Sequence, residues 1–336
     1  MLTAHSPASV WEQLVRLPFL NLYTRLVNAA MELDVFSHLR EPITAQELAH
    51  RLGWHTGNTD YMLSALVSIG FLKKEAGAYQ NTEEASRYLV KGSDDYLGGF
   101  LPFYMQEGMA PMDVKLLVTK GPQPQQQEAM EQQLDFASLA QRMRQAQEGF
   151  RQQELLRIVR SLPEDGKIRR VLDLGGATGL LGLAVIGDRP DRTGVLFDRF
   201  PPAVVEESIS LMGLAGRAEV MCGDFMADSI GGGYDLILAL NVMLFAKSRM
   251  EDLLKKCYDA LNPGGVLLVV SEAILPDHTG PWDMVMGYLP YYFQGMDIGV
   301  LKNEVSDAAR RVGFTSQEKR TEILCSGEQD IDILRK

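Results

Sequence analysis

Five short apolar runs, separated by segments of helical periodicity, occupy the second half of this sequence. Parallel strands need a crossover of a dozen or more residues, and a helix is the usual crossover. The alternation therefore predicts a doubly wound α/β domain, in which helices cover both faces of a mostly parallel sheet. The predicted strands are 170–174, 194–198, 218–222, 234–240 and 265–271, and residues 317–325 and 330–335 are predicted to add a terminal hairpin at the sheet edge.

The amino-terminal part of the chain is predicted to be mostly helical. Apolar residues recur near helical spacing over residues 10–39. This apolar stripe is so wide that we expect a second copy of the chain to cover it. Thr44, followed three residues later by Glu47, has the pattern of a capping box and predicts a helix over residues 45–52.

A second predicted helix, 59–69, and a hairpin formed by residues 71–74 and 79–81 follow in the order of a winged helix. This order raises the possibility of a DNA-binding regulator. However, residues 58–70 contain no Lys or Arg, and the net charge of the chain is -11. Since contacts to phosphate groups depend on Lys and Arg, we expect a dimerisation module and no nucleic-acid partner. A winged-helix regulator that senses a nucleoside is the alternative.

Composition and length agree with two ordinary globular domains, because 46% of the 336 residues are hydrophobic and 23% are charged. Residues 121–133, rich in proline and glutamine, predict an exposed connection, and residues 136–162 predict one long helix. No apolar run approaches the roughly 18 residues that span a bilayer, and no signal sequence opens the chain. We therefore expect no membrane association and a cytoplasmic location. The three cysteines lack metal-ligand spacing, so we expect neither a disulfide framework nor a metal site.

The first predicted strand ends in a glycine-rich turn, Asp-Leu-Gly-Gly-Ala-Thr-Gly at residues 173–179, before a helical segment. Glycines allow a ligand to approach the backbone, and the free amides of a helix amino terminus favour an anionic group. A dinucleotide-binding turn has glycines at its first, third and sixth positions, which here are Gly175, Ala177 and Leu180. The sequence therefore disfavours a nicotinamide-linked oxidoreductase. A turn without any ligand is the other alternative.

Acidic residues follow the next two predicted strands. Asp198 ends the second strand, where a carboxylate can accept hydrogen bonds from both hydroxyl groups of an adenosine ribose. Asp224 follows the third strand and can accept from the adenine amino group while Phe225 covers the ring. Taken alone, Asp198 also has the character of a helix-capping residue, and Asp224 that of a turn residue. Because the carboxyl ends of parallel strands meet at one edge of a sheet, the two together predict an adenosine site.

These features resemble the class I S-adenosylmethionine-dependent methyltransferases. More closely, the chain is similar to the plant-type and bacterial O-methyltransferase family that includes acetylserotonin and caffeate O-methyltransferases. The matching segments are 172–179, 197–202, 223–225 and 262–265, and residues 33–81 match the winged-helix dimerisation domain of that family. The residues that the resemblance assigns to cofactor binding, or to shaping the loop that binds it, are Asp173, Gly175, Gly176, Asp198, Arg199, Asp224, Phe225 and Asn241.

The resemblance implies a Rossmann-like α/β domain, preceded by a mostly α winged-helix dimerisation domain, and a homodimer. It implies a dimerisation domain at 1–100, a helical connector at 101–162 that contributes to the acceptor pocket, and a catalytic domain at 163–336. The expected cofactor is S-adenosylmethionine. The expected reaction is methyl transfer to a hydroxyl group, or an activated carbon, of a small aromatic or secondary metabolite.

One departure from the family concerns the base that removes the acceptor's proton. The family usually has a histidine where this sequence has Leu244, and a leucine cannot take a proton. Glu272, after the fifth predicted strand, and His278 are the catalytic candidates, although Glu272 also fits a solvated strand end and His278 a surface residue.

Three alternatives for the chemistry stay open. In the first, the acceptor atom is an oxygen that a residue other than the family's histidine deprotonates. In the second, it is a carbon or sulfur atom that needs little assistance from a base. In the third, the chain is a cofactor-binding relative that no longer transfers methyl groups. The aromatic and methionine-rich segments 103–105 and 282–293 predict either core helices or a pocket for a flat apolar acceptor.

Overall fold

The computed structural model of the protein describes residues 10–108, 112–123 and 136–336. The chain forms two compact units, which divide between residues 109 and 110. Within the described ranges, no helix is long and apolar enough to cross a membrane.

The first unit combines helices with a small antiparallel sheet, in which β3 lies between β1 and β2. Its helices are α1 (Val10–Glu32), α2 (Val35–His38), α3 (Ala45–Leu52), α4 (Thr56–Ser68), α5 (Glu83–Leu89) and α6 (Phe100–Gly108), and its strands are β1 (Ile43–Thr44), β2 (Leu72–Glu75) and β3 (Ala78–Asn81).

Local signals explain where the helices of this unit begin. The capping box predicted for α3 is confirmed, because Glu47 N donates to Thr44 Oγ1 at 3.2 Å and Thr44 N donates to Glu47 Oε2 at 3.0 Å. Helix α4 begins three residues earlier than predicted, since His55 Nδ1 accepts a hydrogen bond from Asn58 N at 3.2 Å and caps it. The helical segment predicted over 10–39 is interrupted at Asp34, which has φ 55°.

Helix α1 exposes most of its apolar side chains. Only Val27, Ala30 and Met31 near its carboxyl end are buried in this unit. Trp11 is 72% exposed and Leu22 66% exposed, and the large apolar residues between them are also mostly uncovered. Monomeric proteins rarely expose such a continuous apolar surface.

The second unit is built on a seven-stranded sheet in the order β6-β5-β4-β7-β8-β10-β9. The first five strands of this unit run parallel, and β10 runs antiparallel to both β8 and β9. This arrangement confirms the predicted doubly wound sheet and the terminal hairpin. The strands are β4 (Arg170–Leu174), β5 (Thr193–Asp198), β6 (Ala218–Cys222), β7 (Tyr234–Leu240), β8 (Leu261–Ser271), β9 (Ser316–Leu324) and β10 (Gly327–Arg335).

Helices cover both faces of this sheet. The helices of this unit within the described residues are α7 (Val114–Lys120), α8 (Phe136–Gln147), α9 (Phe150–Arg160), α10 (Leu180–Gly187), α11 (Pro202–Leu211), α12 (Met250–Ala260), α13 (Trp282–Phe293) and α14 (Glu304–Val312). One apolar cluster joins Val171 and Leu238 to side chains of α9, α10 and α11, and the other joins Leu172 and Ala239 to α12 and α14. Helix α10 is apolar all round, and every residue from Leu180 to Ile186 is buried.

Two predictions for this unit were wrong in their boundaries. The single helix predicted over 136–162 is two helices, because Gly149 has φ 66° and ψ -120°, a conformation that no α-helix contains. Strand β8 begins at Leu261 rather than at residue 265. The predicted connection 121–133 lies outside the described residues from position 124 onward.

The strand order reverses beside β4. The chain leaves β4 toward β5 and β6 on one side, and β7 and β8 lie on the other side. At such a switch point the loops after the two central strands diverge and leave a crevice at the carboxyl edge of the sheet. The strand order therefore predicts a ligand crevice between the loops that follow β4 and β7.

Candidate active site

The glycine-rich loop after β4 is packed too closely to accept side chains. Gly175 has φ 71°, and a Cβ atom there would lie 2.5 Å from Val242 Cγ1. A Cβ atom on Gly176 would overlap Asp173 Oδ2. The loop also continues the sheet, because Gly175 N donates to Phe197 O at 2.8 Å. Glycine is therefore required at both positions for this loop to line the crevice.

Asp173 supports the loop from inside the protein. Its side chain is 1% exposed, and its Oδ2 accepts a hydrogen bond from Gly182 N in α10 at 3.1 Å. Burial raises the pKa of this carboxyl to about 7, the Gly182 hydrogen bond opposes the increase, and the nearby charge of Asp198 adds to it. Asp173 thus shapes the loop and does not face the open crevice.

A buried glutamine that the sequence did not single out fixes the same loop. Gln147, the last residue of α8, donates to Gly176 O at 3.0 Å and accepts from Thr178 Oγ1 at 2.6 Å. Each of these hydrogen bonds joins two residues that are about thirty positions apart in the sequence. The local sequence, rich in glutamine throughout this region, gave no signal that distinguished Gln147 from its neighbours.

Asp198 lies at the carboxyl end of β5, facing the glycine-rich loop. Its Oδ2 accepts from Ala177 N at 2.7 Å, and its Oδ1 accepts from Phe200 N at 3.0 Å. Each carboxylate oxygen has a second lone pair beyond the one used here. Asp198 therefore connects two strand ends and keeps acceptor capacity for hydroxyl groups.

The loop after β6 brings Asp224 to Arg199 of the neighbouring strand end. The two side chains form an ion pair, and Asp224 Oδ1 also accepts from Met226 N at 2.8 Å. The Met226 hydrogen bond and the Arg199 charge together lower the pKa of Asp224 despite a partial opposing effect of desolvation. The Phe225 ring lies beside the glycine-rich loop, 3.6 Å from where a Gly175 Cβ would be. The loop thus places an anion and an aromatic ring on one side of the crevice.

Asn241 and Glu272 follow the two next strands, β7 and β8. Asn241 has φ 55°, and its backbone N–H donates to Val270 O at 2.9 Å. Glu272 is 1% exposed, so it is not the solvated strand end that the sequence also allowed. Its Oε1 accepts from the Tyr288 hydroxyl of α13 at 2.7 Å, and its Oε2 has no hydrogen-bond partner among the described residues. Burial raises the pKa of Glu272, and the Tyr288 hydroxyl opposes this effect.

The other catalytic candidate, His278, is not buried as Glu272 is. His278 lies in an exposed turn, where its backbone N–H donates to Leu275 O at 2.8 Å and its ring centroid is 5.6 Å from that of Tyr292. No hydrogen bond joins it to Glu272 within the part of the chain that the structure describes. Leu244 packs against the apolar cluster on the α12 side of the sheet. Among the described residues, no three His, Cys, Asp or Glu side chains gather as metal ligands would.

The aromatic segment predicted to be core or pocket is helix α13. Met284 is buried, whereas Trp282 is 77% exposed and Tyr292 54% exposed. Asp283 Oδ2 accepts from Glu328 N at 2.6 Å, which joins the helix to the start of β10. Helix α13 therefore presents apolar side chains to solvent within this unit and is not simply a core helix.

Comparison with known proteins agrees with this architecture. A family model described as the O-methyltransferase dimerisation domain matches residues 18–91, and one described as the O-methyltransferase domain matches residues 124–296. The 3-hydroxy-5-methyl-1-naphthoate 3-O-methyltransferase of Streptomyces sahachiroi is 29% identical over 273 residues, which cover 78% of this chain and 77% of that protein. The bacteriochlorophyllide d C-20 methyltransferase of Chlorobaculum tepidum is 26% identical over 329 residues, which cover 92% and 89%.

A solved structure shares the fold. Human N-acetylserotonin methyltransferase, crystallised in complex with S-adenosylmethionine, superposes with a TM-score of 0.69 at 20% identity and covers 99% of both chains. The catalytic-domain model spans more than half of the sequence. The chain therefore belongs to the O-methyltransferase family, as an S-adenosylmethionine-dependent methyltransferase with an amino-terminal dimerisation domain.

Proposed function

We propose that this enzyme transfers the methyl group of S-adenosylmethionine to a hydroxyl group, or an activated carbon, of a small aromatic metabolite. The observation that carries the proposal is the meeting of the Gly175 loop, Asp198, the Asp224–Phe225 loop and Asn241 at one edge of the sheet. The names of the two curated relatives support this acceptor class, because one methylates an oxygen of a naphthoate and the other a carbon of a chlorophyllide.

The residues at the crevice fit the cofactor by their chemistry. Asp198 keeps free lone pairs for the two ribose hydroxyl groups, and Phe225 offers an apolar ring face to adenine. We assign Asp224 and Arg199 to the adenine side of the pocket, Gly175 and Gly176 to the amino-acid tail, and Asn241 to the region near the sulfur. Anionic side chains around the site also favour a cationic ligand. When bound, the cofactor supplies an electrophilic methyl group.

Calorimetric titration with S-adenosylhomocysteine tests the cofactor site. The wild-type chain should bind it, and Asp198→Ala should weaken binding by about 1 to 3 kcal/mol because hydrogen bonds to a charged acceptor are lost. Asp307→Ala, which removes an exposed carboxylate paired with Arg310 on α14, is the matched control and should bind normally. Absence of binding by the wild type at high micromolar ligand would reject the proposal, and normal binding by the Asp198 variant would reject that residue's role.

We propose that Glu272 is the base that removes the proton from the hydroxyl group of the acceptor. The carboxylate of Glu272 would take the proton when the O–H bond of the acceptor breaks, and the bound cofactor would supply the electrophilic methyl group. The Tyr288 hydroxyl holds Oε1 in place, which leaves Oε2 to receive the proton. Burial raises the pKa of Glu272, which makes its carboxylate a stronger base than an exposed one. Leu244 contributes only an apolar wall at the position of the family's histidine.

Transfer of a labelled methyl group to a panel of hydroxylated naphthoates tests this assignment. Glu272→Gln should lose most of the activity, by about 10²- to 10⁴-fold, and should flatten the acidic limb of the pH–rate profile. His278→Ala is the control and should keep wild-type activity, because His278 is exposed and makes no hydrogen bond to Glu272. A Glu272→Gln enzyme with full activity and an unchanged profile would contradict a proton transfer to this residue.

We further propose that the first unit, with its helices α3 and α4 and its β2–β3 hairpin, is a winged helix that serves dimerisation and not DNA binding. Helix α4 contains no Lys or Arg, and α1 exposes the apolar surface that a second copy would cover. The exposed apolar side chains of α13 are proposed to line the acceptor pocket.

A further inference from the structure

Lys256, on helix α12, holds the loop that carries Asp224 and Phe225. Its Nζ donates to three backbone carbonyl oxygens of that loop, those of Phe225 at 2.7 Å, Met226 at 3.1 Å and Asp228 at 2.9 Å. A lysine ammonium has three N–H donors, and here each has a carbonyl acceptor. The residue could not be identified from the sequence, because two adjacent lysines stand there with nothing to distinguish them.

The helix that carries Lys256 is a rigid support. Leu253, Leu254 and Cys257, on the inner side of α12, are almost completely buried in the apolar cluster of the sheet. The side chain of Lys256 itself is only partly exposed. A cation fixed in this way can hold a loop whose carbonyl groups would otherwise point in varying directions.

Few other hydrogen bonds support the loop from outside, although Phe225 and Met226 also pack against the apolar cluster of the sheet. Its remaining hydrogen bonds to described residues are mostly internal, including Asp224 N to Asp228 Oδ2 at 2.8 Å and Met226 N to Asp224 Oδ1 at 2.8 Å. Two other links join the loop to the neighbouring strand end: a hydrogen bond from Gly223 N to Asp198 O at 3.0 Å and the ion pair between Asp224 and Arg199, in which Arg199 is 71% exposed. An exposed ion pair of this kind holds a loop weakly. Of the two cationic side chains that reach the loop from outside, Lys256 is therefore the stronger anchor.

We propose that Lys256 is a positioning residue for the nucleoside, which fixes the Asp224–Phe225 loop in its binding conformation before the cofactor arrives. This inference rests on the proposed function, because it takes that loop as the adenine subsite. Lys256 acts through the loop backbone and does not touch the ligand. When the loop is already ordered, binding does not carry the entropy cost of ordering it. The effect of Lys256 should therefore be on the affinity for the cofactor.

Lys255 provides a matched control. It is the preceding residue on the same helix, and its ammonium pairs with Asp259 one turn later and not with the loop. Both lysines carry the same charge, and methionine in place of either keeps most of the apolar stem. The variants Lys256→Met and Lys255→Met therefore differ in whether the three carbonyl contacts are lost.

The experiment measures the Kd of S-adenosylhomocysteine for the full-length protein by calorimetry. We expect Lys256→Met to raise Kd about tenfold, which equals about 1.4 kcal/mol, and Lys255→Met to leave it within a factor of about two. Lys256→Arg, which keeps a cation with several donors, should recover part of the affinity. Hydrogen exchange of the peptide that contains residues 223–228 should be faster in free Lys256→Met than in the wild type and should slow when ligand is added.

A second readout separates positioning from a general loss of structure. S-Inosylhomocysteine has an oxo group where adenine has its amino group, so a correctly held Asp224–Phe225 loop should prefer the adenosyl ligand. This preference should shrink in Lys256→Met and stay unchanged in Lys255→Met. Equal affinity and equal preference in Lys256→Met and the wild type would overturn the role of Lys256 and leave the proposed function standing, whereas a wild type that binds neither ligand would overturn both.

Discussion

Replacing Asp173 with asparagine is expected to change how the stability of the second unit depends on pH. Burial is the main reason why the pKa of Asp173 rises from 3.8 to about 7; its hydrogen bond from Gly182 N opposes the rise, and the Asp198 charge adds to it. A shift of one pKa unit corresponds to about 1.36 kcal/mol. A rise of about three units therefore corresponds to a cost of about 4 kcal/mol for folding with an ionised Asp173.

The sign follows from which state holds the proton. Below about pH 4 the carboxyl is protonated in both states and causes no difference. As the pH rises toward 7, the unfolded chain ionises while the folded chain keeps its proton, so the free energy of unfolding falls. Above the folded-state pKa of about 7 both states are ionised and the full cost is reached. An asparagine at this position has no charge to bury and keeps an oxygen that can accept from Gly182 N, so the variant should not show this fall.

Urea unfolding followed by circular dichroism at a series of pH values measures the effect. The free energy of unfolding of the Asp173→Asn variant, relative to the wild type, should increase by about 4 kcal/mol between about pH 4 and pH 8. Asp332→Asn is the control, because burial raises the pKa of Asp332 only to about 6, and its effect should be complete at a lower pH. If the stabilities of Asp173→Asn and the wild type fall in parallel over this range, the reasoning about burial is refuted.

Three further predictions concern the loop and the dimer. Gly175→Ala should lower Tm and abolish binding of S-adenosylhomocysteine, because the new Cβ atom would clash and the φ angle of this residue is positive. The control Gly187→Ala, whose Cβ atom would meet only ordinary contacts, should do neither. Equal Tm values for Gly175→Ala and the wild type in a thermal scan would contradict this. Gln147→Leu should weaken binding of the same ligand, measured by calorimetry, by about 1 to 3 kcal/mol, because the Gly176 carbonyl and the Thr178 hydroxyl lose their hydrogen-bond partner. Unchanged affinity would show that the loop does not need the Gln147 side chain. Replacing both Leu14 and Leu22 of α1 with Lys should give a monomer by light scattering, and a dimer of normal mass would place the interface elsewhere.

The sequence predicted those features that depend on local patterns. Strand β4, the capping box of α3 and the glycine-rich loop each follow from a periodicity or a residue pattern within a few positions, and the structure contains all three. The break between α8 and α9 was missed because a glycine inside a helical pattern is often tolerated, and only its backbone dihedrals show that this one is not.

Contacts between segments that are distant in the chain could not be predicted from the sequence. Gln147 and Lys256 act on loops about thirty positions away, and nothing in their own neighbourhoods indicates these partners. Glu272 was recognised as a candidate from its place after a strand, but its burial and its hydrogen bond from Tyr288 depend on how α13 packs. The motifs predicted which strand ends meet at one edge of the sheet, and the tertiary contacts determine how each group is held there.

Helix α10 also has a consequence for handling the protein. Its eight residues, Leu180–Gly187, carry no charged or polar side chain, and the seven from Leu180 to Ile186 stay out of water only while the sheet covers them. An uncharged apolar segment that becomes accessible in a partly opened chain promotes self-association. Heating should therefore precipitate the enzyme with a midpoint that depends on scan rate, whereas urea keeps the opened chain dispersed and returns it to the native state on dilution.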